Sequence, residues 1–199
     1  LIESYADLLG VAWEGELPKM YTEHLKADVD KTFKEAEVAK DYILVQFSGG
    51  QSPIGWENNA HYNSIDPGRN YHPYLAQQLI NLIHEASPET TIVNFSLPNE
   101  PHYDNTVKIQ MPFAMWHEAL KGAKAFVGID SSLQHLSASA GVKGVVLWGS
   151  TRFNQLGYMR NTNMNYYMTD TWDESKFDTR NPLNLMIEPD RVMEAYKAL

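Results

Sequence analysis

Along this chain the apolar residues come in short unbroken runs, and between the runs they recur every three or four positions. Tyr42–Ser48 (YILVQFS), Thr91–Ser96 (TIVNFS), Ala125–Ile129 (AFVGI) and Lys143–Gly149 (KGVVLWG) are rich in β-branched and aromatic residues and are bounded by Gly, Pro or polar clusters. Each predicts a strand buried on both faces, because a half-exposed strand would alternate apolar with polar. The intervening stretches predict one-sided helices. After Pro73, which suits a first helical position, Leu75, Leu79, Leu82, Ile83 and Ala86 trace an i, i+4, i+7, i+8 stripe. Pro112 opens PFAMWHEALKGA, which stops near Gly122. The stretch after the third strand, SSLQHLSASAG, carries Leu133, Leu136, Ser137 and Ala140 on one side and Gly141 as a natural stop. Earlier, DKTFKEAEVAK gathers Phe33, Ala36 and Val38; later, NYYM (Asn165–Met168) predicts a short strand, and Pro189 opens a last helix with Val192, Met193, Ala195 and Tyr196.

Strand and helix thus alternate, which predicts a doubly wound parallel sheet, a Rossmann-like α/β domain. Residues 1–40 read as irregular chain and a helix leading into this domain, which fills 41–199. A long polar loop rich in Gly, Pro and Asn separates the first strand from the helix at Pro73, and loops of that length inside a compact domain are usually functional.

Composition narrows the function. The chain has 199 residues, 43% hydrophobic and 21% charged, with a formal net charge of −9. That charge opposes broad nucleic-acid binding, which needs a basic footprint, although a local basic spot could still grip one phosphate. The absence of cysteine removes disulfides, zinc–thiolate sites and cysteine nucleophiles, and fits a reducing cytoplasm. No apolar run approaches the roughly 20 residues that span a bilayer. The opening LIESYADLLG has two acids and no basic segment, so it does not read as a signal peptide. A start at Leu1 instead of methionine raises the expectation of a domain ahead of this one.

The densest candidate chemistry is GIDSSLQHLSASAG, residues 128–141. Asp130, Ser131, Ser132 and His135 invite a catalytic-triad reading. The stretch lacks a Gly-x-Ser-x-Gly elbow, however, and an Asp, Ser and His within six residues of one strand–helix junction do not make the usual separated triad. Ser131 or Ser132 can cap the helix. The same helix N-terminus, leaving the carboxyl edge of a sheet, can also take an anion. Gly49-Gly50-Gln51-Ser52, after the first strand, would let backbone approach a ligand closely and supply neutral donors, or is a tight strand-end turn. It is neither Gly-x-Gly-x-x-Gly nor a Walker loop. Arg69 in the long loop can pair with a phosphate or stay solvated. Glu100, beside Asn99 after the second strand, can accept from a ribose or be an ordinary acidic loop residue. The seven histidines show neither HxH nor HExxH spacing, so no metal site is expected.

Together these pieces resemble the C-terminal domain of the family-9 glycosyltransferases, the group containing the ADP-heptose:lipopolysaccharide heptosyltransferases. FVGIDSSLQHLSASAGVKGVVLWGST is similar to that family's strand–Asp-(Ser/Thr)-Gly-x-x-His–helix–Gly-Val–strand–Gly-(Pro/Ser)-Thr block, with Asp130, Ser131, His135, Gly141, Gly149 and Thr151 on its marked positions. VQFSGG resembles its first strand and Gly loop, RNYHP its Lys/Arg-x-Trp-Pro helix opening, and Asn99-Glu100 its nucleoside-side glutamate. The resemblance covers about Tyr42 to Thr151. Ser132 departs from the family's glycine, Tyr71 and His72 replace its Trp, and the loop from Gln51 to Asn70 is longer.

The resemblance implies the C-terminal half of a GT-B fold, with a nucleotide-diphosphate sugar, an ADP-sugar foremost, as donor substrate and no cofactor or metal. Gly49, Gly50, Gln51, Ser52, Arg69, Asp130, Ser131, Ser132 and His135 would then surround the diphosphate, and Asn99 and Glu100 the nucleoside. Transfer to a glycan or lipid-linked acceptor would be metal-independent and inverting. The catalytic base would come from a missing N-terminal domain, linked through SYADLLGV. The expected setting is the cytoplasm, peripheral to the inner membrane. The alternatives are a nucleotide-sugar epimerase and a non-catalytic nucleotide- or carbohydrate-binding module of the same fold.

Overall fold

Six parallel strands in the order β3-β2-β1-β4-β5-β6 form the centre of the molecule. The computed structural model describes residues 19–48, 70–96, 100–148, 165–168 and 187–199, and all statements about structure concern those residues. The strands are β1 (Tyr42–Gln46), β2 (Thr91–Phe95), β3 (Val107–Ile109), β4 (Phe126–Ile129), β5 (Gly144–Leu147) and β6 (Asn165–Met168). The helices are a short 3-10 turn (Glu23–Leu25), α1 (Lys26–Glu35), α2 (Pro73–Ala86), α3 (Phe113–Lys121), α4 (Ser132–Ala140) and α5 (Pro189–Lys197).

The strands are covered on both sides, which explains their unbroken apolar runs. Because side chains alternate along a strand, Ile43, Val45, Val127, Ile129, Val145 and Leu147 face α2 and α5. Leu44, Phe126 and Val146 face the layer of α1, α3 and α4. Chain order makes β1 and β4 neighbours, so the crossovers before and after them wind in opposite directions. The carboxyl ends of these two strands form the topological switch point, where open α/β sheets bind ligands.

Local chemistry sets the helix ends. His72 caps α2, its Nδ1 accepting from the Tyr74 N–H at 3.3 Å, with Pro73 next in line. The buried face of α2 is Leu75, Ala76, Leu79, Ile80 and Ile83, while Ala86 is exposed, so the face is rotated slightly from the stripe read in the sequence. α1 stops at Glu35, ahead of Ala36 and Val38. Glu37 takes φ 56°, and the Val38 N–H reaches back to the Phe33 carbonyl at 2.9 Å. This is a Schellman turn with a non-glycine residue in the left-handed position. Tyr71 is core: it is 1% exposed, stacks on Phe47 and donates its hydroxyl to the Ile187 carbonyl at 2.6 Å. Strand β3 has no counterpart in the sequence reading. It is three residues long, only Ile109 is buried, and it lies at the sheet edge.

At the switch point Gln46 is paired with Gly128. A Cβ on Gly128 would lie 2.5 Å from the Gln46 carbonyl oxygen and 2.7 Å from Phe126 Cζ. Backbone stands on one side and a packed ring on the other, so neither can give cheaply.

Two substitutions test these features in opposite directions. Gly128→Ala should lower unfolding stability by roughly 1–3 kcal/mol through overpacking, read as a drop in denaturation midpoint. Glu37→Gly should raise it by about 1 kcal/mol by relieving the left-handed residue.

Candidate functional site

Strand β4 ends at Ile129 and α4 begins at Ser132, so only Asp130 and Ser131 join them. A connection this short fixes the N-terminus of α4 at the carboxyl edge of the sheet, beside the end of β1. Ser131 takes extended backbone angles and caps the helix, its Oγ accepting from the Leu133 N–H at 3.2 Å. Its own proton goes to Gln46 Oε1. The Ser131 hydroxyl is therefore committed in both directions, to the cap and to β1. That is the wiring of a structural pin between strand and helix; a nucleophile would give its proton to a base. The Gln134 N–H turns back to the Ser131 carbonyl at 3.2 Å. Ser132 stands exposed in the first helical turn.

Asp130 is only 9% exposed, and one carboxylate oxygen, Oδ1, accepts from Gln134 Nε2. Gln134 itself is completely buried, although a glutamine in a helix normally faces water. Its amide orientation is forced, because an ionised carboxylate can only accept. His135 is half-buried one turn into the helix. Burial lowers its pKa, and the nearby Asp130 charge works in the opposite direction.

The far end and flank of α4 are also fastened. Gly141 adopts φ 73° and ends the helix; the Val142 N–H bonds the Ser137 carbonyl, and the buried Ser137 hydroxyl donates to the Val142 carbonyl at 2.7 Å. His117 of α3, 2% exposed, links Ser139 through Nε2 at 3.2 Å and Thr22 through Nδ1 at 2.8 Å. Thr22 spends its own proton on Glu118, so His117 donates to it from Nδ1. Burial lowers its pKa, Lys121 adds to the effect, and Ser139, Glu118 and Glu23 oppose it.

Of the residues singled out from the sequence, Asp130, Ser131, Ser132 and His135 come together at the β4–α4 junction. Glu100 lies near β3, where its backbone carbonyl accepts from Lys108 Nζ at 2.9 Å. Gly49, Gly50, Gln51, Ser52, Arg69, Asn99, Gly149 and Thr151 lie outside the described residues. Two members of the cluster, Gln46 and Gln134, were not anticipated. The signal for Gln134 was a polar residue amid a helix's apolar positions; Gln46 was the only polar side chain before Ser48 in the first apolar run. Among the described residues no group of three His, Asp or Glu side chains is placed to hold a metal. No helix among them is long and apolar enough to cross a membrane.

Strand order 3-2-1-4-5-6, with a capped helix at the switch point, defines a Rossmann-like domain. The family model of glycosyltransferase family 9 (heptosyltransferase) matches residues 78–187, more than half of the chain, and the chain belongs to that family. No curated protein matches it by sequence. Solved structures share its fold. The family-9 glycosyl transferase from Veillonella parvula DSM 2008 has 13% identity and a TM-score of 0.64 over 98% of this chain and 57% of its own. The E. coli ADP-heptose LPS heptosyltransferase II has 14% identity and a TM-score of 0.62, over 91% of this chain and 53% of its own. The E. coli heptosyltransferase WaaC with ADP-2-deoxy-2-fluoro heptose has 15% identity and a TM-score of 0.55, over 98% and 53%. The chain therefore spans little more than half the length of these relatives, as one Rossmann-like half of the GT-B heptosyltransferase fold.

The buried histidines give a pH test. Their folded-state pKa values lie below the ordinary 6.5, so the unfolded chain binds protons more readily. Stability should be fully present above pH 6.5 or so and should fall as pH drops through and below that value. Thermal unfolding across this range checks it, and His117→Gln, which keeps an amide donor and acceptor, should flatten the slope.

Proposed function

We infer that the chain is the donor-binding half of a family-9 glycosyltransferase, holding a nucleotide-diphosphate sugar at the carboxyl edge of the sheet. One observation carries this reading: the capped N-terminus of α4 opens at the β1/β4 switch point, joined to β4 by only Asp130 and Ser131. A helix N-terminus presents free N–H groups and the positive end of the peptide dipoles, which suits a diphosphate. Family membership supports the class of reaction, and relatives solved with ADP or an ADP-heptose analogue favour an ADP-sugar.

In this mechanism α4, the Gly49-Gly50-Gln51-Ser52 loop, Arg69 and His135 meet the charge of the leaving diphosphate without a metal. Stabilising charge that develops as a bond breaks is the largest catalytic contribution such a site can make. Asn99 and Glu100 hold the nucleoside. The acceptor hydroxyl, on a glycan or lipid-linked sugar, attacks the anomeric carbon with inversion as the C1–O bond to the diphosphate breaks. Its proton passes to a base on an acceptor-binding domain that precedes residues 1–40, the link into the donor domain of 41–199. Asp130 is not that base, because it is buried beside the helix that receives the anion and is already engaged by Gln134. The setting is the cytoplasmic face of the inner membrane, in lipopolysaccharide assembly.

Calorimetric titration with ADP, GDP and UDP tests the reading, with ADP expected to bind most tightly. Ser132→Asp separates site from scaffold. A carboxylate in the first helical turn should raise the melting temperature slightly, yet weaken ADP by about tenfold through repulsion of the diphosphate. Arg69→Ala should weaken ADP as well. If none of the three nucleotides binds, the donor-domain reading is wrong; unchanged ADP affinity in Ser132→Asp would move the diphosphate away from α4.

A further inference from the structure

Strand β3 lies at one edge of the sheet, where a lysine ordinarily keeps its ammonium in water and discourages pairing with another chain. Lys108 turns inward instead. It is half-buried, and its Nζ donates to the backbone carbonyl of Glu100 at 2.9 Å, on the loop that joins β2 to β3. Its register partner on β2 is Asn94, which is 2% exposed and makes a longer contact, Nδ2 to the Pro101 carbonyl at 3.5 Å. Val93, Phe95 and Ile109 pack toward α1, α3 and α4, so Asn94 and Lys108 stand on the opposite, α2 face. Two paired side chains thus hold two consecutive carbonyls of one loop.

Farther along the loop, Gln77 of α2 grips Asp104 by both backbone groups. Its Oε1 accepts from the N–H at 2.8 Å and its Nε2 donates to the carbonyl at 3.2 Å. A connecting loop does not need such fastening to join two strands. Each bond adds little net stability, and ordering a lysine side chain costs rotamer freedom. What the fastening supplies is position. Holding the Glu100 carbonyl fixes the peptide plane between Glu100 and Pro101, and so limits the direction in which the Glu100 side chain leaves the backbone. The loop departs from the carboxyl end of β2, the strand beside β1. In sheets of this order a carboxylate after that strand can accept from the ribose hydroxyls of a nucleotide. Of the loop's described acids, Glu100 is half-buried and Asp104 is exposed.

We propose that Lys108 is a positioning residue for nucleoside recognition: by holding the Glu100 carbonyl, it sets the Glu100 carboxylate to accept from the ribose hydroxyls of the donor nucleotide. The proposal rests on the donor-site reading above. It gives Lys108 no contact with the ligand. The ammonium acts on the backbone of Glu100, and the carboxylate, which can only accept, meets the hydroxyls. Discrimination between a ribonucleotide and one without those hydroxyls is thereby tuned from the edge strand.

Calorimetric titration of the chain with ADP and with 2′,3′-dideoxy-ADP tests this, because the two ligands carry equal charge and differ only in the hydroxyls. The parent should prefer ADP by about tenfold or more, the scale of a hydrogen bond to a charged group. Lys108→Met keeps the unbranched stem and removes the ammonium, and it should shrink that preference by roughly three- to tenfold. Lys108→Gln, a shorter polar side chain, should behave as Lys108→Met does. Loss of a positive charge alone would weaken both ligands alike, and so would a general loosening of the fold. Either leaves the preference intact and overturns the proposal. In a Glu100→Gln background the preference should already be small, and Lys108→Met should not change it further. A further loss there would mean that Lys108 meets the ribose itself, and it too overturns the proposal. If the parent binds no ADP, the donor-site reading falls and takes this proposal with it. If the parent binds both ligands equally, the diphosphate reading stands, while the role of Glu100 and this proposal fall. A parental preference that survives in Lys108→Met removes this proposal alone.

Discussion

The approach of β1 to β4 at Gly128 is the constraint on which the rest depends. The two strands are parallel neighbours whose sequence positions are far apart, and their pairing puts Gln46 opposite a glycine with no room for a Cβ. Reversal of the strand order at this pair opens a crevice at the carboxyl edge. The two-residue step from β4 into α4 then leaves the helix N-terminus no freedom to sit elsewhere. A site of this kind is a consequence of topology first; side chains refine what the backbone has already placed.

The refinement is done by uncharged polar groups. Ser131 ties the helix to β1 through Gln46, and Ser137 ties its far end to the chain beyond Gly141. His117 ties its flank to α3 and, through Thr22, to the chain entering α1. Apolar contacts from Leu133 and Leu136 supply most of the burial but little direction, since such contacts are insensitive to small rotations. Hydrogen bonds from buried groups are directional and expensive to leave unmade. They fix how α4 points, and an anion site built on a helix end depends on that direction.

Much of this was legible in the chain because burial writes itself into apolar runs. Five of the six strands and all five α-helices appear in the hydrophobic pattern. The cap at Ser131, the stop at Gly141 and the proline openings at Pro73 and Pro189 follow from local chemistry that needs no tertiary context. What escaped the pattern did so for physical reasons. Strand β3 (Val107–Ile109) is an edge strand of three residues with one buried, so it offers neither a run nor an alternation. The turn after α1 ends a helix at Glu37, where a left-handed position usually declares itself as glycine. Tyr71 was assigned to a loop by its polar neighbours, yet its ring is core because its hydroxyl finds the Ile187 carbonyl. The junction was found through Asp130, Ser131, Ser132 and His135, whose types announce chemistry. Gln46 and Gln134 were passed over because glutamine carries no such announcement, and only burial shows that each is occupied.

Charge sharpens what such a junction has to accomplish. With a formal net charge of −9, the chain as a whole repels a nucleotide diphosphate. Long-range steering would then work against association, and a donor site at this junction would have to act within a few ångströms, where a helix end can outweigh the screened field of distant carboxylates. At that range a single misplaced acid matters more than the whole remaining surface. Asp130 is the acid closest along the chain to the α4 cap, and it is also the one that is almost wholly withdrawn from solvent and bound by an amide. An acidic ligand at this junction would meet a nearest carboxylate that is already turned from solvent, since Asp130 is only 9% exposed and accepts from Gln134.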